Sequence, residues 1–239
     1  MSLHPSSQTS ASMERVVAPS QAILIVVLLL LLLLSLSPSR ADPDLLLDYC
    51  VADVAAQTFH LNGRPCIDPT LARSAHFATS ALSQPNGAAS TALFGFSVTT
   101  TNATTLPGAN AQGLAMARVD IVGGGLVPPH AHPRASEAAL LLRGTLLVGF
   151  VDTSHRLYTQ QLRPGDTFLF SRGLVHFLYN LDPTTPAVVL SGFNSQNPGA
   201  QLASTTMFRS DPRFPEEVLK KAFKISGQDV QRIQRNLGG

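Results

Sequence analysis

Between residues 114 and 193 the chain repeats one unit: four to nine residues of apolar or alternating character, then a turn built on glycine, proline or aspartate. The segments 114–122, 137–142, 145–151, 157–162, 167–170, 175–179 and 187–193 each fit a strand, and none carries a helical period. Short strands at such even spacing leave few solutions other than an antiparallel sandwich or barrel. Arg143-Gly144 reads as a hairpin turn between its flanking strands, and Pro164-Gly165-Asp166 as the turn that opens the next one.

The flanks have a different character. Residues 70–113 are rich in Ser, Thr, Ala, Asn, Pro and Gly, with one short strand candidate at 93–98. They read as long surface loops in which Phe77, Phe94 and Phe96 still need burial. At the C-terminus Pro215 opens a helix with acids in its first turn and lysines later, as the macrodipole prefers; Val218, Leu219, Ala222 and Phe223 share one face. Ser226 and Asp229 then have capping-box spacing before a second helix with Val230, Ile233 and Leu237 on one side. The two helices, within 215–238, need something to cover: a neighbouring subunit or the domain's own sheet.

Chemistry concentrates in Pro128-Pro129-His130-Ala131-His132-Pro133, with Glu137 just beyond. On an extended strand residues i and i+2 share a face, so His130 and His132 can converge on one point. Pro133 cannot donate to a sheet ladder, which ends the strand and assigns Glu137 to the next one. His176, in the 175–179 segment, is the expected fourth member. Three imidazoles and a carboxylate suit Mn, Fe, Co, Ni or Zn, and without thiolates they do not read as a closed structural zinc site. Four protein ligands on a six-coordinate ion leave two positions open, as catalysis needs. His60 and His76 have no such company and read as surface or structural residues.

The first forty-one residues read as a leader. A polar opening with Arg15 precedes the apolar run 22–34, which falls short of the roughly 20 residues a membrane span needs. Ser39-Arg40-Ala41 has the small-x-small form of a cleavage site, so the mature chain begins at Asp42. An uncleaved signal anchor is the alternative, but no basic stop-transfer flank follows. The mature part carries 15 basic and 14 acidic residues, with no basic block to suggest a nucleic-acid partner and no membrane segment. In a secreted chain the two cysteines, Cys50 and Cys66, most simply pair, with reduced or intermolecular thiols as the alternative. Asn62-Gly63 is a tight-turn signal inside that loop, and Asn102-Ala103-Thr104 is a glycosylation sequon in a turn-rich setting.

Taken together these motifs resemble the germin-like proteins of the cupin superfamily. The first cupin box, Gly-x5-His-x-His-x3-4-Glu-x6-Gly, is met by Gly124, His130, His132, Glu137 and Gly144. The second, Gly-x5-Pro-x-Gly-x2-His-x3-Asn, is met by Gly165, Gly173, His176 and Asn180, with Ser171 where the family has proline. The likeness extends to the Asp-Pro-Asp start at Asp42, to Cys50 and Cys66, to Pro128-Pro129, and to the stretch from Ser191 to Gly199. It implies an all-β cupin jelly-roll barrel with short C-terminal α-helices, spanning 42–239. It further implies one manganese ion per subunit on His130, His132, Glu137 and His176, and a homo-oligomer, a hexamer built as a trimer of dimers. Secretion to the plant apoplast, often with glycosylation, completes the expectation.

Activities across this family include oxalate oxidase in true germins and superoxide dismutase in several germin-like members. Oxalate-degrading germins carry two asparagines near the metal that can hydrogen-bond the substrate; the corresponding positions here are Ala117 and Val127. A small polar dianion would find its oxygens unpaired, so the sequence disfavours oxalate and leans to manganese-dependent dismutation. A non-catalytic extracellular metal-binding protein, structural or receptor-like, is the competing reading.

Overall fold

The computed structural model describes residues 47–56, 63–85, 87, 89 and 92–238, together with 23, 24, 26–28 and 30. Two units separate along the chain, residues 1–40 and 41–239. The described residues of the first are helical and exposed, and the expected cleavage point lies outside the described residues. Among the described residues, no helix is long and apolar enough to cross a membrane.

Among the described residues the second unit has ten strands: β1 Phe96–Thr100, β2 Ala115–Ile121, β3 Leu126–Ala131, β4 Glu137–Arg143, β5 Leu146–Val151, β6 Leu157–Leu162, β7 Thr167–Phe170, β8 Val175–Asn180, β9 Ala187–Phe193 and β10 Gln201–Leu202. They form two five-stranded sheets, ordered β1-β2-β9-β4-β7 and β10-β3-β8-β5-β6, antiparallel throughout. The expected strands are present, with ends moved by up to three residues. β2 shows the period of two directly: Ala115, Ala117, Val119 and Ile121 are buried, while the residues between them are not. Ile121, Leu141, Leu146, Val148, Phe170, Leu178 and Val189 fill the space between the sheets at 0–2% exposure. Each such side chain contributes about 1.5–3 kcal/mol by leaving water.

The expected hairpin at Arg143-Gly144 is corrected. β4 pairs with β7 and β9, whereas β5 pairs with β6 and β8, so the chain there crosses from one sheet to the other. Gly144 turns that corner at φ 89°, and a Cβ on it would lie 2.8 Å from Ala187. A glycine followed by an apolar run signals a sharp turn in either case; only the pairing of distant strands separates a hairpin from a corner.

Three helices close the chain: α1 Ala203–Phe208, which the sequence did not suggest, α2 Glu216–Phe223 and α3 Gly227–Asn236. The Ser226–Asp229 capping box is present, each side chain accepting from the other's backbone N–H. Phe208, Leu219, Val230 and Leu237 form a small second core, against which Phe94 and Ile233 pack. The expected apolar face of α2 is only partly used. Leu219 is buried, but Val218 and Phe223 stay 48% and 46% exposed. Phe77 also stays on the surface, edge-on to Tyr49 at 5.4 Å.

Candidate metal centre

Two adjacent prolines aim the first histidine. Neither Pro128 nor Pro129 can donate to the ladder, and the β3–β8 register shifts between Val127 and His130. His130 thereby pairs directly with His176 across the two strands. β3 ends at Ala131, one residue before His132, and Glu137 is the first residue of β4. The four residues meet in the interior, 1–8% exposed, with one ligand atom from each lying within 4.8 Å of the others.

Backbone carbonyls fix the ring orientations. His130 Nδ1 lies 2.9 Å from the Pro128 carbonyl, His176 Nδ1 lies 2.8 Å from that of Leu174, and His132 Nδ1 contacts that of Gly199. A carbonyl only accepts, so each Nδ1 carries the proton and each Nε2 is left with a lone pair. Yet Nε2 of His132 and of His176 lie 3.0 and 3.2 Å from Glu137 Oε2. Lone pairs facing a buried carboxylate repel unless a proton or metal cation lies between them. Four convergent donors, with three rings held through their far nitrogens, fit a metal ion.

The electrostatics agree. Burial, reinforced by the neighbouring His176 and His132 rings, holds the His130 imidazole down at about 4, so it is neutral and available near neutral pH. A proton can take the place between His132 Nε2 and Glu137: burial opposes a charged His132, but sharing that proton with Glu137, together with the hydrogen bond to Gly199, outweighs it and raises the imidazole. Burial pushes the Glu137 carboxyl up, while hydrogen bonds with His132, His176 and Ser191 overcome it and hold the group far below the usual carboxylate range.

Some supporting residues were not identified from the sequence. Ser191 Oγ donates to Glu137 Oε1 at 2.6 Å from a fully buried position on β9. A signal existed: the alternation of residues 187–193 sets Ser191 on the core face, where a hydroxyl needs a partner. Phe170 stacks on the His176 ring at 4.3 Å, and nothing in the sequence marks that contact. Ser191→Ala should weaken metal affinity by about 10–100-fold, read by competition with a chelator, because the carboxylate loses its orienting donor.

His130, His132 and Glu137 open onto a cavity of about 840 Å³, walled by Phe96, Val119, Leu178 and Phe193 among others. Ala117 and Val127 line it too, and Ala117 sits directly across the sheet from Ser191. The Cys50–Cys66 disulfide anchors one side of its mouth: Cys66 bridges Ala52, and the buried Asn110 side chain bonds both Cys50 Sγ and the Arg64 backbone. Asn102 stands exposed at the rim, its side-chain oxygen accepting from the N–H groups of Thr104 and Thr105. Asn180 holds no ligand position; its amide donates to the carbonyls of Val122 and Thr185 and ties strand ends together. His76 accepts from the Arg73 N–H, and His60 lies outside the described residues.

The Cupin family profile matches residues 80–231. Germin-like protein 3-1 of Oryza sativa subsp. japonica is 67% identical over 205 residues, covering 84% of this chain and 91% of that protein. The chain belongs to the germin-like cupins. Germin-like protein subfamily 1 member 1 of Arabidopsis thaliana is 54% identical to this germin-like cupin, over 84% of the chain and 93% of the relative. Among solved structures an oxalate oxidase superposes with a TM-score of 0.78 at 38% identity, over 83% of this chain and 99% of that one. A second, bound to the substrate analogue glycolate, gives 0.78 at 37%, over the same shares of each chain. The jelly-roll barrel and the germin-like assignment both stand.

Proposed function

We propose that this germin-like cupin is a secreted manganese protein that dismutates superoxide in the plant apoplast and does not oxidise oxalate. The observation that carries the reading is the wall beside the four-donor cluster, where Ala117 and Val127 bring no hydrogen-bond donor. Oxalate would shed its water there with nothing to replace it, at roughly 1–3 kcal/mol for each unpaired group. Superoxide asks for less, and bound manganese would supply one-electron cycling between Mn(II) and Mn(III).

The protein's own part is to hold and to admit. His130, His132, Glu137 and His176 provide the ligands, Ser191 steadies the carboxylate, and the apolar wall limits water. Arg64 is the one cation among the described residues lining the cavity, which favours approach of a small anion. Residues 1–41 act as the leader, and Asn102, exposed at the rim, would carry the glycan. The half-exposed Val218 and Phe223 of α2 support assembly into a hexamer.

Superoxide and oxalate assays on one preparation of known manganese content test the reading. The expected result is superoxide removal proportional to manganese, with no peroxide formed from oxalate. Robust oxalate turnover overturns the substrate choice. Full metal with neither activity favours a non-catalytic metal-binding role.

A further inference from the structure

On the side of the barrel away from β1 and β10, aromatic rings run without a break from the metal cluster to the surface. Phe170 stacks on His176 with centroids 4.3 Å apart; Phe168 lies 5.1 Å from Phe170, Phe150 lies 6.0 Å from Phe168, and Tyr158 stacks on Phe150 at 5.0 Å. Burial falls along the same line, from the fully buried Phe170 to Tyr158 at 37% exposure. The backbone makes the route short. His176 is the register partner of Phe150, and Phe150 is that of Tyr158, on three adjacent strands. Two strand spacings put the Tyr158 and His176 Cα atoms roughly 10 Å apart.

The end of the stack is fitted for proton-coupled oxidation. The Tyr158 hydroxyl donates to Asp152 Oδ2 at 3.4 Å, so a phenol losing an electron has a base at hand. Asp152 is itself fixed, its other oxygen accepting from the N–H groups of Ser154 and Arg156 in the β5–β6 turn. The Arg156 guanidinium lies 4.9 Å from the Tyr158 ring centroid, where it disfavours a cationic ring and couples departure of the electron to that of the proton. The chain has no tryptophan and three tyrosines in all, which makes the placement of this one informative. Tyr179, also on β8, is absent from the stack and packs outward at 38% exposure.

We propose that Tyr158 is a redox-active surface residue, the electron donor at the outer end of an aromatic stack that leads to the metal ligand His176. This rests on the reading of a redox-active metal at the four-residue cluster. The oxidant is hydrogen peroxide, which dismutation itself produces inside the cavity. One electron leaves the Tyr158 phenol as its proton passes to Asp152 and on to solvent; a second would come from a bound redox metal, M(II) becoming M(III). With two protons taken up from water in the cavity, the two electrons convert one peroxide to two waters, leaving a neutral tyrosyl radical at the surface. The phenylalanines are the medium through which the electron tunnels and are never themselves oxidised. Holes are thereby drawn away from the histidine ligands towards a site where an external phenolic donor can refill them.

Manganese-loaded full-length protein is treated with hydrogen peroxide and a nitroso spin trap, and its peptides are mapped by mass spectrometry. Adduct should accumulate at Tyr158 well above Tyr179 and Tyr49, vanish in Tyr158→Phe, and fall several-fold in Phe150→Leu at unchanged manganese content. Equal labelling of the three tyrosines, equal labelling of metal-stripped protein, or no effect of Phe150→Leu overturns the route. Tyr158→Phe alters one surface hydroxyl and leaves folding unaffected, so it remains decisive if Phe150→Leu does not fold. Manganese retained and superoxide removed without Tyr158 adduct refutes the stack alone; failure to retain manganese refutes the underlying reading with it.

Discussion

Glu137→Ala should abolish metal binding, with total metal in elemental analysis falling from near one ion per subunit to background. The substitution removes the only anionic donor of the cluster, and a divalent ion held by three neutral imidazoles loses both charge compensation and a bond. It also orphans the Ser191 hydroxyl, which is fully buried. The stability signature is distinctive. In the parent protein, adding manganese should raise the melting temperature, because metal that binds only the folded state adds about 2.7 kcal/mol at a concentration 100 times Kd. In Glu137→Ala the same addition should do nothing. Without metal, the variant should melt below the parent, because the hydrogen bonds that hold the Glu137 carboxylate ionised are lost and the buried Ser191 hydroxyl is left unpaired. Undiminished manganese in this variant would remove the cluster as the metal site.

The second large effect concerns the rim. Cys50→Ser combined with Cys66→Ser should lower the melting temperature by roughly 6–12 °C, from about 3 kcal/mol for a loop of this length. The bond closes a separation of 16 residues, and those residues bring Val54, Ala56, Gly63 and Arg64 to the mouth of the cavity. Asn110 would keep its two bonds to the Arg64 backbone, so the segment is loosened rather than released. Metal content should therefore be unchanged at room temperature. A melting temperature within a degree or two of the parent would mean that the Asn110 latch alone holds the segment.

The strands and the ligands were legible because both follow from short-range rules. Period-two alternation located β2, short apolar segments bounded by glycine and proline turns located the strands after it, and a strand interrupted by Pro133 explained how an i, i+2, i+7 set could converge. What escaped depends on distant parts of the chain meeting. Arg143-Gly144 has the composition of a hairpin turn, and only the pairing of β4 with β9 reveals a sheet crossing. Phe168 and Phe170 are one alternating pair among many apolar residues until β5 brings Phe150 beside them. α1 is six residues rich in serine and threonine, with weak local preference, and it forms because Phe208 finds Leu219 and Val230 to pack against.

The three imidazoles are each steered by a main-chain oxygen, those of Pro128, Leu174 and Gly199. Side-chain scanning is therefore blind to half of what shapes this centre: no residue exchange deletes a carbonyl. Detuning it requires altering the path of the chain, by inserting or removing a residue near 173–174 or 198–199, or by replacing a peptide link with an ester. For the lineage the same fact separates two kinds of change. Point mutation can redecorate the cavity wall, as at Ala117 and Val127, and alter what is admitted, while the coordination chemistry beneath passes on intact.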